Sequence, residues 1–152
     1  MTSLEYFAAI AAEFCDWVEA KPGNPQEELA AARRLAARLY AAALDLPDGS
    51  ADFAQQADDS SPRDAVFERF AALPINMYAV VDPLALPGTA PRIGDLADDF
   101  TDTYFDIRYG LRLYRSGLHV PAAWEWSFSF RTHWGDHLVG ALSALQAFAT
   151  RG

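Results

Sequence analysis

The chain has 152 residues, 51% hydrophobic and 13% aromatic, so it is long and apolar enough to bury one substantial core. Its formal net charge of -9 argues against binding nucleic acid or a membrane, because phosphate backbones and anionic lipids attract basic faces. Cys15 is the single cysteine, which excludes an internal disulfide and a cysteine-based metal site. The first residues lack a basic segment and are interrupted by Glu5 and Glu13, so we expect a cytoplasmic protein.

The N-terminal part of the chain predicts two long helices joined by a short turn. The first runs from about Ser3 to Ala20, and its apolar residues recur at helical spacing. Asn24 followed by Pro25 is a start signal, with an asparagine cap and a proline at the first helical position. The second helix then continues to about Leu44.

The middle of the chain carries loop and turn signals. Residues 46–60 are polar and acidic, which indicates an exposed loop, and a short third helix follows near Pro62. Residues 74–91 are rich in proline and show little periodicity. A strand at 77–81 would lack a partner, so we interpret this segment as an ordered connector laid over the helices.

Two further helices are predicted in the C-terminal part. The fourth runs from about Gly94 to Ser116, Gly117 ends it, and the last runs from Pro121 to about Ala149. The fourth helix has one main apolar stripe: Leu96, Phe100, Ile107, Leu111 and Tyr114. We therefore predict a single all-α domain over residues 1–152, an antiparallel bundle of about five helices with a proline-rich connector.

The last two helices also carry the candidate site. On a wheel of about 100° per residue, His133 and His137 share the middle of the core-facing side of the last helix. Asp99, Asp102 and Asp106 share one face of the fourth helix. The tight turn places Ser116 opposite Pro121, so residues whose numbers sum to about 237 lie side by side in the two antiparallel helices. The three carboxylates are therefore expected at the level of the histidines.

Three interpretations of this cluster are open. In the first, Asp–His hydrogen bonds satisfy histidines in the core and fix the register of the two helices. In the second, His133 and His137 supply nitrogen ligands, and Asp99, Asp102 or Asp106 supply oxygen ligands, to a divalent transition metal such as Zn, Mn or Fe. In the third, a His–Asp pair performs acid–base chemistry without a metal. No cofactor is required by the first or the third.

Several distinct short motifs lie between Tyr78 and His137. They are Tyr78 with Val81-Asp82-Pro83; Gly94-Asp95-Leu96-Ala97-Asp98-Asp99 with Asp102, Tyr104, Asp106 and Gly110-Leu111; and Trp124-Glu125-Trp126-x-Phe128-x-Phe130 followed by His133-Trp134-Gly135-x-His137. With these motifs the chain resembles an uncharacterised bacterial family, the domain of unknown function 5063. The resemblance implies a small all-α cytoplasmic protein and carries no activity with it.

Two functional hypotheses follow. The first is a non-enzymatic protein that acts through protein–protein contact, as a homodimer, because the last two helices carry more apolar surface than one core needs. The second is a metal-binding bundle in which the ion activates a bound water for hydrolysis. No catalytic residue can be named from the sequence, and whether the protein is an enzyme stays open.

Overall fold

The computed structural model describes residues 1–48 and 63–151. The helices are α1 (Ser3–Glu19), α2 (Pro25–Ala43), α3 (Arg63–Arg69), α4 (Leu96–Arg115), α5 (His119–Ser129) and α6 (Gly135–Arg151). A short π-helical turn, Phe130–Trp134, joins α5 to α6, so these two form the single last helix that the sequence predicts. The all-α prediction is confirmed. Most of the loop predicted over 46–60, and the predicted start of the third helix near Pro62, lie outside the described residues.

The first two helices begin where capping side chains satisfy their free backbone N–H groups. The hydroxyl of Thr2 accepts a hydrogen bond from the backbone of Glu5 at 3.1 Å, and the side chain of Asn24 accepts one from the backbone of Glu27 at 2.9 Å. Both glutamates reach back to the backbone N–H of the capping residue, which completes two capping boxes. Local sequence alone therefore fixes these helix starts.

The connector contains a β-hairpin that the sequence analysis missed. Strand β1 (Met77–Val80) pairs antiparallel with β2 (Arg92–Asp95), with Tyr78 opposite Gly94. The prediction that a strand here has no partner was wrong, because residues 94 and 95 were assigned to the start of the fourth helix and residues 92 and 93 to no element. Gly94 permits the pairing, since a Cβ there would lie 2.5 Å from the ring of Tyr78.

Helix α4 lies at the centre of the fold, with α1, α3, α5 and α6 packed against it. Four of the five residues of its predicted stripe are buried, with Leu96, Phe100 and Ile107 fully buried and Leu111 4% exposed, while Tyr114 is partly buried. In the described part of the chain, no helix combines the length and apolar character that crossing a membrane needs.

A buried ion pair joins α3 to the first two helices. Arg69 Nη1 lies 2.5 Å from Glu28 Oε2, and both side chains are nearly inaccessible, at 7% and 5%. The remaining guanidinium donors of Arg69 bind the carbonyl oxygens of Val18 and Trp17 at 3.1 and 2.9 Å. The other carboxylate oxygen of Glu28 accepts from the backbone of Gly23 at 2.8 Å. Each charge is therefore compensated by its partner and by backbone groups.

Replacing Arg69 by methionine removes one charge of this pair and leaves the Glu28 carboxylate buried. We expect Arg69→Met to lower the free energy of unfolding by about 3–5 kcal/mol, measured by urea denaturation. The matched control is Arg38→Met, which breaks the exposed pair between Arg38 and Glu13 and is expected to cost less than about 1 kcal/mol. Equal losses in the two variants would contradict the structural role given to the buried pair.

Candidate functional site

The structure brings together all five residues of the candidate site. Nδ1 of His137 lies 2.6 Å from Oδ1 of Asp99, and Nδ1 of His133 lies 2.5 Å from Oδ2 of Asp106. Oδ2 of Asp102 lies 3.3 Å from Nε2 of each histidine. The aspartates reach these positions because their spacing of three and four residues places them on one face of α4.

The histidines are more exposed than the sequence analysis expected. It placed them in the middle of the core-facing side, but the side chain of His133 is 43% exposed and that of His137 is 22% exposed. The expectation of a histidine network inside the core is therefore wrong for His133 and holds only in part for His137. The side chain of Asp99, at 7% exposure, is the most deeply buried of the three site aspartates.

The π-helical turn explains this displacement. A wheel of about 100° per residue assumes an uninterrupted α-helix, whereas a π-helical turn accommodates an additional residue. The buried stripe passes from Trp126 to Trp134, eight positions along the chain, and continues through Leu138 and Leu145, all at 0% exposure. Two α-helical turns would cover about seven positions. The π-helical turn therefore shifts the buried stripe by one residue relative to a continuous α-helix. His133 and His137 then lie at the edge of the stripe and face α4.

The carboxylate partners indicate which ring nitrogen of each imidazole carries a hydrogen atom. A carboxylate can only accept, so Nδ1 of His133 and of His137 acts as the donor toward Asp106 and Asp99. A neutral imidazole then carries its lone pair on Nε2. Both Nε2 atoms face Oδ2 of Asp102, so three electron-rich atoms converge unless a proton or a cation lies among them.

Burial and neighbouring charges shift the proton affinities of the cluster. The hydrogen bond to Asp99 raises the pKa of His137 against the opposing effect of burial. Burial raises the pKa of Asp106, and the hydrogen bond to His133 opposes that rise. Burial, followed by repulsion from Asp102, raises the pKa of Asp98. The site thus concentrates negative charge that a bound cation would relieve.

Two residues that the sequence analysis did not assign to the site hold its carboxylates. The hydroxyl of Tyr78 donates to Oδ2 of Asp99 at 2.5 Å, and burial with this hydrogen bond raises the pKa of the tyrosine. The guanidinium of Arg63 donates to Oδ1 of Asp102 and lies 3.7 Å from Asp98. Tyr78 stood in one of the quoted motifs, whereas nothing in the local sequence linked Arg63 to a carboxylate 39 positions away.

An open cavity of about 550 Å³ adjoins the cluster. The hairpin forms one wall, with Tyr78 and Arg92, and the helices form the other, with Asp98, His133 and His137. Two groups of three side chains bring potential ligand atoms within 4.8 Å of one another: Asp102, His133 and His137, and Asp98, Asp99 and His137. The arrangement can bind a cation at a solvent-reachable position. Without one, it can pass a proton between an imidazole and a carboxylate.

Comparison with known proteins gives a family and a similar fold. The model of the family described as "Domain of unknown function (DUF5063)" matches residues 2–150. The crystal structure of protein BF1032 from Bacteroides fragilis superimposes with a TM-score of 0.79 over 96% of this chain and 91% of that chain, at 19% sequence identity. At that identity the likeness concerns the fold alone. None of the curated proteins compared with the chain matches it.

The bond from Tyr78 to Asp99 yields a prediction about stability. Tyr78→Phe keeps the ring but removes the donor to a carboxylate that is nearly buried, so we expect the free energy of unfolding to fall by about 1.5–3 kcal/mol. Chemical denaturation measures the change. Tyr40→Phe, which modifies a tyrosine in edge-to-face contact with Phe130, is the matched control and should change stability by less than about 0.5 kcal/mol. A Tyr78→Phe protein as stable as the control would refute the stabilising role of this bond.

Proposed function

The chain belongs to the DUF5063 family, and we propose that it is a metal-binding protein in which Asp102, His133 and His137 hold one divalent transition-metal ion. The observation that carries the proposal is the convergence of both Nε2 atoms on Oδ2 of Asp102, each at 3.3 Å. Zinc lies about 2.0–2.2 Å from nitrogen and oxygen ligands, which puts two tetrahedral ligands roughly 3.3–3.4 Å apart. Nitrogen and carboxylate oxygen together suit zinc, manganese and iron.

A second layer of contacts supports the proposed ligands. Histidines that bind metal commonly donate the other ring nitrogen to a carboxylate, which fixes the tautomer and orients the ring. Asp99 stands in that relation to His137, and Asp106 stands in it to His133. Arg63 contacts the carboxylate oxygen of Asp102 that does not face the histidines. Each proposed ligand therefore has its own orienting partner.

The formal charges also suit a divalent cation. A metal bound at Nε2 requires neutral imidazoles, and Asp99, Asp102 and Asp106 then contribute three negative charges against one positive charge from Arg63. An ion with two positive charges balances the remainder. Such compensation matters because Asp99 and Asp102 are largely withdrawn from water, at 7% and 16% exposure.

Three protein ligands leave at least one coordination position for water or a substrate. That is the ligand number of catalytic zinc sites, where the ion lowers the pKa of its bound water and makes it a nucleophile. His133 and His137 line the adjoining cavity, which supports access from solvent to such a position. We therefore assign the site to metal-assisted hydrolysis within the proposed function.

Metal analysis tests the proposal directly. Protein produced without a histidine tag and loaded with Zn or Mn should retain about one equivalent after dialysis, because three ligands with an ordered second layer bind tightly. His137→Ala should retain less than about a tenth of an equivalent. His119→Ala is the matched control, since this histidine stacks on Tyr114 away from the cluster, and it should bind as the wild type does.

Two results would overturn the metal proposal. One is a wild-type protein that retains no metal and shows no thermal shift when Zn or Mn is added. The other is a His137→Ala protein that keeps its full equivalent of metal. If His133→Ala is strongly destabilised while no protein binds metal, the cluster has the structural role that the sequence analysis considered first.

We propose contact between two copies of the chain as a second candidate function. The sequence analysis based it on the last two helices, but Leu113 is only 8% exposed, and Phe105 and Tyr109 pack against the core. Phe128 and Val139 of the last helix are exposed, but two apolar side chains of the hairpin strands are more exposed, Ile93 at 82% and Met77 at 60%. Both side chains lie on the face of the sheet opposite Tyr78, since side chains alternate along a strand. Such a face suits burial against an identical one.

Light scattering on a gel-filtration peak tests this second candidate. The wild-type chain should elute with twice the mass of one chain, and Ile93→Lys should shift it to the monomer, because a buried ammonium group would face apolar side chains. Val139→Lys, which places the same charge on an exposed position of α6, is the control and should leave the mass unchanged. A wild-type protein that remains monomeric at high concentration would contradict the proposed dimer.

A further inference from the structure

The cavity beside the cluster is lined by more acidic than basic side chains. Apart from Asp99, which belongs to the cluster itself, it exposes Asp95, Asp98 and Asp136, and Arg92 is the basic residue among its lining side chains. Asp95 caps helix α4 by accepting a hydrogen bond from the backbone of Ala97. Asp136 is exposed at the start of α6, next to His137 in the chain.

This acidity persists when the proposed ion is bound. The ion balances the charges of the cluster, in which Arg63 and the three site aspartates are already counted. The lining adds three aspartates and one arginine, Arg92, and Asp98 also lies 3.7 Å from the already counted Arg63. A concave site lined by one sign of charge concentrates ligands of the opposite sign and repels those of the same sign.

We infer that, with the proposed metal in place, this cavity takes small cationic ligands and excludes anionic ones. The ligand class is an amine or guanidinium compound that also carries a neutral carbonyl group, such as an amide. The carbonyl oxygen reaches the open coordination position, while the cationic group lies against Asp98 and Asp136. This inference rests on the proposed metal site. It excludes phosphate esters and free carboxylates from the substrates expected at that site.

Distances and size fit that class of ligand. A carboxylate oxygen of Asp98 lies within 4.8 Å of a ring nitrogen of His137, so a short molecule can reach both the ion and this carboxylate. The volume of about 550 Å³ falls within the range of small-molecule sites, about 300–1,000 Å³. Phe67 and Val80 line the same cavity and offer apolar contact to an alkyl chain between the two polar ends.

Three hydroxamates of matched length test the inference, because a hydroxamate binds the metal while its other end reports on the cavity. They are ε-aminocaproyl hydroxamate, caproyl hydroxamate and adipoyl monohydroxamate, which end in an ammonium, a methyl and a carboxylate group. Binding is followed on the Co(II)-loaded protein through the visible absorption of the ion. We expect the ammonium compound to bind about tenfold more tightly than the methyl compound, and the carboxylate compound about tenfold more weakly.

Substitutions test whether the carboxylates of the cavity wall cause the preference for the ammonium compound. Asp136→Asn should reduce the preference for the ammonium compound over the methyl compound severalfold and leave metal content unchanged. Asp16→Asn removes an exposed carboxylate from a different cavity, on α1, and should leave the preference intact. Added salt should weaken the preference in the wild type, since these charges are partly exposed to solvent.

The outcomes separate this inference from the metal proposal. A protein that binds no metal overturns the proposed function, and the inference falls with it. A metal-loaded protein that binds the carboxylate compound as tightly as the ammonium compound overturns the inference alone. So does a metal-loaded protein that binds none of the three hydroxamates, because the coordination position would then be closed.

Discussion

The π-helical turn at Phe130–Trp134 is the constraint on which the candidate site depends. It keeps Trp126 and Trp134 both in the core, although they lie one position further apart than two α-helical turns allow. The helix beyond it is rotated, so His133 and His137 leave the centre of the core-facing side. A π-helical turn is rare and recurs at functional sites, because a continuous α-helix is ordinarily the more favourable arrangement.

The site also depends on helix α4, whose aspartates are held in place by contacts from several other elements. Its apolar stripe is buried against the bundle, and the hydroxyl of Tyr78 meets Asp99 from the hairpin side. Gly140 leaves room for that hydroxyl, since a Cβ there would lie 2.6 Å from it. Arg63 approaches the same face from α3. The carboxylates are therefore placed by three separate elements, which is the support that an ordered binding site needs.

The sequence predicted those parts of the site that depend on local spacing. The aspartates recur at helical intervals and a tight turn joins the two helices, so the meeting of Asp99 with His137 followed from counting residues. The exposure of His133 did not follow, because a wheel assumes one uniform helical period and the π-helical turn changes it. Strand β2 was missed because its residues precede a helix directly, and Arg63 was missed because its contact depends on tertiary packing.

The third aspartate distinguishes a structural network from a binding site. His137 with Asp99, and His133 with Asp106, already satisfy one nitrogen of each ring and fix the register of α4 against the last helix. Asp102 lies within 3.3 Å of both rings and brings a further negative charge to them. Placing like charges together without a counter-ion is unfavourable, and Arg63 balances only one of them. A hydrogen-bond network that only fixes register can be formed without this additional carboxylate, whereas the proposed cation site uses it as a ligand, and this supports the proposed metal-binding function.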